Sequence, residues 1–99
     1  MPLSQSQCKY LRGRGHSLKP IVLIGGTGLT KTVLAELDGA LEHHELIKVR
    51  IRVGSRDQRD ALLDELLGES KTTLLQRTGN VALLYREAKE PKLSLPKTQ

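Results

Sequence analysis

Aromatic residues and cysteine are scarce in this sequence, and each shortage limits what the protein can be. The chain contains no Phe and no Trp, and its only aromatic side chains are Tyr10 and Tyr85. The hydrophobic core must therefore be built from aliphatic residues. The single Cys8 has no partner for an internal disulfide. It also argues against a cysteine-based zinc site and is typical of a protein from a reducing compartment.

Long apolar segments are also absent. No apolar run approaches the roughly 20 residues that span a bilayer, and residues 1–10 lack the charged start and apolar stretch of a secretory signal. We therefore expect a cytoplasmic protein without membrane contact. A length of 99 residues suits one domain with a single hydrophobic core.

Positive charge is in excess and is unevenly distributed. The formal net charge is +5. Residues 1–31 carry five Lys or Arg and no acid, and residues 48–56 carry four Lys or Arg and no acid, whereas residues 32–47 and 57–71 are net acidic. The acidic stretches are those with helical character, so the basic residues could form a positive face for a polyanion. A cationic surface that only keeps a small protein soluble is the alternative.

Hydrophobic periodicity predicts seven elements in the order α-β-α-β-α-β-β. Ser4, Thr30 and Ser55 are the predicted N-caps, the last with Gln58 in a capping box. Gly79-Asn80 suits a type II′ hairpin turn. The predicted elements are a helix over 4–14, a strand over 20–24, a helix over 31–44, a strand over 47–53, a helix over 56–69, and strands over 72–77 and 81–86.

This order predicts an α/β fold: a single compact domain over residues 1–88, with a four-stranded mixed sheet packed by helices. The strand-helix-strand segment implies a parallel pair, and the final hairpin adds antiparallel strands. The continuous apolar run over 20–24 is typical of a strand buried on both faces. The remaining residues, 89–99, are predicted to form an extended, basic, proline-containing tail.

In the second predicted strand, basic and apolar residues alternate. Lys48, Arg50 and Arg52 point to one side, and the residues between them are Val or Ile. A solvated sheet face is the ordinary interpretation of such alternation. Three neighbouring charges of one sign repel one another, however, so we favour contact with phosphate or with acids of a neighbouring helix.

The segment Gly25-Gly26-Thr27-Gly28 joins the first predicted strand to the second helix. Glycines allow positive φ and let another backbone approach closely. The helix that follows directs unpaired N–H groups and its positive dipole end to the same place. Lys31 lies in the first turn, where the dipole does not favour a cation, so its position suggests a facing anion. Together these features predict a phosphate-binding turn.

Three known phosphate-binding motifs resemble this segment to different degrees. A dinucleotide fingerprint needs a third glycine where Lys31 stands, and no acid ends the second strand. A Walker A loop needs a glycine where Thr30 stands, and the second strand ends near Arg52 rather than at an aspartate for magnesium. The GXXG loop, which clamps backbone nucleotides, fits residues 25–28 literally. A tight turn that simply requires glycines stays open as an alternative.

Beyond this loop, the sequence strongly resembles the CRM domain family, and within it the bacterial stand-alone YhbY-type members. The resemblance covers about residues 4–97. It is carried by Leu11-Arg12-Gly13, His16, Leu18-Lys19-Pro20-Ile21-Val22, Gly25 to Gly28-Leu29-Thr30, Ala40-Leu41-Glu42-His43-His44-Glu45-Leu46-Ile47-Lys48-Val49, Leu84-Tyr85-Arg86 and Lys92-Leu93-Ser94-Leu95-Pro96.

The resemblance implies a compact α/β domain similar to the C-terminal domain of translation initiation factor three. It also implies RNA binding through the GXXG loop and the adjoining basic surface, with ribosomal RNA in precursor large ribosomal subunits as the partner and ribosome assembly as the process. Many relatives have a polar or basic residue where Gly26 stands, which removes one side-chain contact here. The candidate RNA-binding residues are Gly25, Gly26, Thr27, Gly28, Lys31, Lys19, Arg12, Arg14, His16, Lys48, Arg50 and Arg52.

Other chemistry finds little support. His43 and His44 are adjacent, so on a helix they point about 100° apart and cannot easily share a metal ion. No nucleophile elbow or paired-carboxylate motif is present, so we predict no catalytic residue, metal, cofactor or small-molecule substrate. The alternatives to RNA binding are a protein-interaction module that uses the acidic helix faces or the tail, and a P-loop-like nucleotide binder.

Overall fold

A computed structural model describes residues 3–90 of the chain. Three helices and four strands follow one another in the predicted order α-β-α-β-α-β-β, so the predicted α/β fold is confirmed. Most of the predicted tail, from residue 91 onward, lies outside the described residues. The elements are α1 (Gln5–Gly15), β1 (Pro20–Ile24), α2 (Lys31–His44), β2 (Leu46–Ile51), α3 (Arg56–Ser70), β3 (Thr73–Thr78) and β4 (Val81–Tyr85).

The four strands form one mixed sheet in the order β1-β2-β4-β3. β1 and β2 are parallel, as the intervening helix predicts, while β4 is antiparallel to both of its neighbours. The last strand therefore lies inside the sheet, and β1 and β3 form its two edges. The hairpin turn has positive φ at Gly79 (60°) but not at Asn80, which is the φ pattern of the predicted type II′ turn.

Helices cover both faces of the sheet. α2 and α3 pack on one face, where Leu37, Leu41 and Leu66 are fully buried against inward side chains of the strands. On the other face α1 inserts Leu11 into a smaller cluster with residues of β2, β3 and β4. An ideal Cβ built on Gly15 would lie 2.6 Å from the Leu83 side chain, so a larger residue at this position would force Leu83 to shift where α1 packs on β4.

The prediction that β1 is buried on both faces is wrong. Val22 and Ile24 point into the core, but Ile21 is 49% exposed and Leu23 is 54% exposed. β1 is an edge strand, and α1 packs over the other three strands. The outer face of β1 therefore has no cover among residues 3–90.

All three predicted N-caps are confirmed. The Ser4 and Ser55 side chains each accept a hydrogen bond from the amide three residues later and take part in a capping box, with Gln7 and Gln58 respectively. Thr30 Oγ1 accepts from the amide of Val33. Because caps are local features, the residues that begin each helix could be identified from the sequence.

The junction between α2 and β2 depends on a buried acid. Glu45 has a φ of 64° and no solvent exposure. Its carboxylate accepts a hydrogen bond of 2.9 Å from the amide of Ala88, and its carbonyl accepts one of 3.0 Å from the amide of Arg86. The segment that follows β4 is thereby fixed to the end of α2.

Candidate nucleic-acid interface

Three loops meet at one end of the sheet, which we call the loop end and define as residues 25–30, 52–55 and 79–80. Parallel pairing brings the carboxyl ends of β1 and β2 together, and the amide of Arg52 donates to the carbonyl of Ile24 at 2.7 Å. The β3–β4 hairpin joins them, since the amide of Ile51 donates to the carbonyl of Asn80 at 2.7 Å. The N-termini of α2 and α3 begin at this same end.

The predicted phosphate-binding segment forms a four-residue turn. The amide of Gly28 donates to the carbonyl of Gly25 at 3.0 Å and closes the turn. Gly26 and Thr27 are exposed at its tip, and their amides have no hydrogen-bond partner within residues 3–90. Gly28 has a φ of 74°, a left-handed conformation that glycine adopts without strain. The turn thus presents two free amides to solvent.

The start of α2 adds two more donors beside this turn. Thr30 accepts hydrogen bonds from the amides of Val33 and Leu34, through its hydroxyl at 3.1 Å and its carbonyl at 2.9 Å. The amides of Lys31 and Thr32 precede these and have no acceptor within the helix. The first turn of α2 contains no acid, and the Lys31 side chain is exposed. Four amides and one ammonium group can therefore meet an anion here.

Two of the predicted basic residues of β2 extend this surface along the sheet. Arg50 lies opposite Leu23 in the parallel register, and Arg52 follows the strand directly. Both are exposed, and they line a shallow trough of about 270 Å³ whose floor includes Ile21 and Leu23. Neither forms an ion pair in the part of the chain that the structure describes. Their charge is therefore available to an external partner.

Lys48 has a different environment. Its ammonium group lies 3.4 Å from the carbonyl oxygen of His16, to which it donates. It forms no ion pair with an acid of a neighbouring helix among residues 3–90. Lys48 therefore belongs partly to the packing of α1 on the sheet.

Three of the four remaining predicted basic residues lie at the opposite end of the sheet, and the fourth, Arg12, lies within α1. Arg12, Arg14, His16 and Lys19 all precede β1, whereas the turn follows it. A strand of five residues is about 16 Å long, so His16 and Lys19, in the segment before β1, start from the far side of that distance. Arg14 lies there too, since it lines a pocket with Leu46 at the start of β2. The sequence grouped all the basic residues into one surface, but the fold separates them into two regions.

The second basic region adjoins the histidine pair. Arg14 lines a surface pocket together with His43, His44 and Leu46. The two imidazole rings meet edge to face, with centroids 4.5 Å apart. Within residues 3–90 no group of three or more His, Cys, Asp or Glu side chains is arranged to hold a metal ion.

The structure also shows three basic residues that were not predicted as part of the site. Arg56, Arg59 and Arg77 line one cavity at the loop end. The sequence did contain a signal for the first two, because a capping box at Ser55 places them in the first turns of α3, directly after a strand parallel to β1. Arg77 could not be found in this way, since its position depends on where the hairpin joins the sheet.

A tyrosine with a shifted pKa lies away from the loop end. Tyr85, at the other end of β4, has its pKa raised by burial and, to a lesser extent, by the negative charges of Glu45 and Glu87. No helix within the described residues is both long and apolar enough to cross a membrane.

The sequence is similar to a known domain family and to bacterial proteins whose names refer to RNA binding. The profile of the CRS1 / YhbY (CRM) domain matches residues 3–86. An RNA-binding protein of Haemophilus influenzae is 41% identical over 95 residues, which cover 96% of each chain. A relative in Pseudomonas aeruginosa, named “Probable RNA-binding protein”, is 47% identical over 95 residues, which cover 96% of this chain and 91% of the relative.

A solved structure has the same fold. The solution structure of the hypothetical protein SAV1595 from Staphylococcus aureus, a candidate RNA-binding protein, superposes with a TM-score of 0.79 at 34% identity. The superposition covers 96% of this chain and 100% of that protein. The arrangement of three helices and four strands is therefore shared over the whole described domain.

Proposed function

This chain belongs to the CRS1 / YhbY (CRM) domain family, and we propose that it is an RNA-binding protein that holds the RNA backbone at the loop end of its sheet. Its relatives in Haemophilus influenzae and Pseudomonas aeruginosa carry RNA binding in their names. The observation that carries the proposal is the exposed turn at residues 25–28, whose free amides lie beside the N-terminus of α2.

Phosphate oxygens are the RNA groups that suit this turn. The amides of Gly26, Thr27, Lys31 and Thr32 can donate to them, and the Lys31 ammonium group supplies a full positive charge. At Gly26 no side chain stands between the backbone and the phosphate. Contacts of this kind fix the position of the RNA without reading its sequence. The proposed activity is therefore binding by backbone and shape, with no catalytic step.

The basic side chains of β2 extend the proposed contact. Arg50 and Arg52 lie on the open sheet face next to the turn, and their guanidinium groups have no acidic partner within residues 3–90. The exposed part of this face has no aromatic side chain on a strand within residues 3–90, because Tyr85, on the same face, is buried beneath α1. Contact with phosphates is therefore favoured over the stacking of bases on the strands.

Arg12, Arg14, His16 and Lys19 form a second basic region in this proposal, with Lys48 between the two. An RNA that contacts both regions must extend along the length of β1, about 16 Å. Such an RNA is longer than the few nucleotides that the turn alone can hold. The prediction that these residues contact RNA therefore applies to long or folded RNA.

We further propose that the RNA is ribosomal RNA of the precursor large subunit and that the protein assists ribosome assembly. The support is the resemblance to YhbY-type members over about residues 4–97, together with backbone recognition that suits a folded RNA. Crosslinking the protein to RNA in cell extract and sequencing the attached fragments tests it. Large-subunit ribosomal fragments are expected, and a majority of messenger or transfer RNA fragments would contradict this part of the proposal.

Protein interaction is the second candidate function. The exposed aliphatic side chains of Ile21 and Leu23, at 49% and 54%, are the observation that favours it. Partners that remain bound to the protein after ribonuclease treatment would support this candidate. Partners that are lost with the RNA would support RNA binding instead.

A further inference from the structure

A second cluster of arginines lies at the loop end, away from the turn. Arg56 and Arg59 come from the first turns of α3, and Arg77 comes from β3 just before the hairpin. Together with Gly79 they line an open cavity of about 350 Å³. The cavity is on the far side of the loop end from residues 25–28, across β2 and β4.

Two of these arginines have guanidinium groups without a polar partner among the described residues. The guanidinium groups of Arg56 and Arg59 form no hydrogen bond and no ion pair within residues 3–90. Nε of Arg59 is buried from solvent and has no hydrogen-bond partner among those residues. Buried polar atoms in folded proteins nearly always have a partner, so this N–H group is left to donate to a water molecule or to a ligand.

Arg86, in contrast, is an arginine whose guanidinium group is bonded within the protein. Its Nη1 donates to Asp38 Oδ1 at 2.8 Å and to the carbonyl of Ser70 at 2.9 Å. Its Nη2 also lies 3.7 Å from the Glu42 carboxylate. Arg86 thus connects α2 with α3, whereas the guanidinium groups of Arg56 and Arg59 join no two elements among residues 3–90.

Arg77 is only partly satisfied. Its Nη1 pairs with the Asp60 carboxylate, and its Nε lies 3.4 Å from the carbonyl of Gly79. Asp57, in the first turn of α3, forms no ion pair within the described residues. Three guanidinium groups therefore stand against two carboxylates, and the cavity keeps an excess of positive charge.

We propose that this arginine cavity is a second phosphate-binding site for the RNA held by the turn. The planar guanidinium group binds phosphate oxygens through paired N–H donors. The amides of Arg56 and Asp57 begin α3 and have no acceptor within the helix, so they can donate to the same phosphate. The cavity lies two to three strand spacings from the turn, about 10–15 Å. One RNA backbone can cross the loop end and occupy both sites.

This inference rests on the proposed function, because it concerns the same RNA, but it is tested with different residues. The variant Arg56→Gln/Arg59→Gln removes two charges from the cavity and leaves the turn intact. The control, Lys71→Gln/Lys89→Gln, removes two exposed charges at the opposite end of α3 and beyond β4. RNA affinity is measured by fluorescence anisotropy from 50 to 300 mM salt.

Losing one phosphate contact reduces the slope of log affinity against log salt by about 0.7, which is about fivefold in affinity at 0.1 M salt. We expect the cavity variant to show this loss and the control to keep the wild-type slope. Wild-type slope and affinity in the folded cavity variant overturn the second site, and so does an equal loss in the control. If the wild-type protein does not bind RNA at all, the proposed function itself fails.

A substitution that removes a negative charge, and should therefore raise RNA affinity, gives an independent check. Asp60→Asn releases Arg77 from its ion pair, so we expect RNA affinity to rise. Glu69→Gln removes one exposed acid near the other end of α3 and is the matched control. An affinity gain confined to Asp60→Asn supports the cavity. Equal gains in both variants, or none, overturn it.

Discussion

The variant Gly26→Asp/Thr27→Asp, which adds two negative charges, tests the turn most directly. An ideal Cβ on Gly26 meets no atom within 4 Å, and Thr27 is exposed, so both aspartates fit without disturbing the fold. Each new carboxylate lies beside the amides that are proposed to bind phosphate. Two unit charges 4 Å apart interact by about 1 kcal/mol in bulk water and by about 4 kcal/mol near a protein surface. Taking about 1–2 kcal/mol for each exposed carboxylate gives about 2–4 kcal/mol, or about 30- to 1,000-fold weaker binding.

The assay is fluorescence anisotropy with a structured RNA at constant salt, together with the melting temperature of each variant. The control Gly26→Asn/Thr27→Asn adds side chains of nearly the same size without charge. We expect the melting temperatures of both variants to match that of the wild type, and the Asn variant to lose much less affinity than the Asp variant. Unchanged affinity in a folded Asp variant would refute the role of the turn. An equal loss in the Asn variant would refute the electrostatic reasoning.

Three further predictions concern the stability of the fold. Gly28→Ala forces a side chain into a φ of 74°, so we expect the free energy of unfolding to fall by about 1–2 kcal/mol in a urea titration; an unchanged value would contradict the strain argument. Glu45→Ala removes the buried acceptor of the Ala88 amide and should lower the free energy of unfolding by about 1–3 kcal/mol, while Glu45→Gln loses less and RNA affinity in both stays at the wild-type level. Burial, followed by the charges of Glu45 and Glu87, raises the pKa of Tyr85 in the folded protein, so its contribution to stability is complete below the unfolded pKa of about 10 and is lost as the pH rises through the folded value. Wild-type protein should therefore lose more stability than Tyr85→Phe as the pH rises above about 10, and parallel pH profiles would count against this assignment.

Much of the fold could be predicted from the sequence because its signals are local. The three N-caps and the glycine turn of the hairpin act through neighbours within a few residues. The parallel pairing of β1 and β2 follows from the helix between them. The ends of the strands were predicted less accurately. The predicted second strand included Arg52, but β2 ends at Ile51, so Arg52 lies in the loop that follows it.

The prediction that β1 is buried on both faces was wrong because hydrophobic periodicity shows the chemistry of the side chains. It does not show which elements of the fold cover them. An apolar run is equally consistent with a central strand and with an edge strand that has an open outer face. Ile21 and Leu23 lie on such a face because α1 packs over the other strands. Which strands α1 covers is decided by contacts far apart in sequence, such as those of Leu11 with Leu75 and Leu83.

The sequence by itself determined the order of elements, the glycine turn with the helix start that follows it, and the surplus of positive charge. Only the tertiary structure decided which charges share a surface. Chain distance is a poor guide in a sheet, because a strand of about 16 Å separates its two flanking loops while parallel pairing joins loops far apart in sequence. For that reason Arg14 lies far from the turn that it precedes by only eleven residues, whereas Arg77, forty-nine residues beyond the turn, lies at the same end of the sheet as the turn.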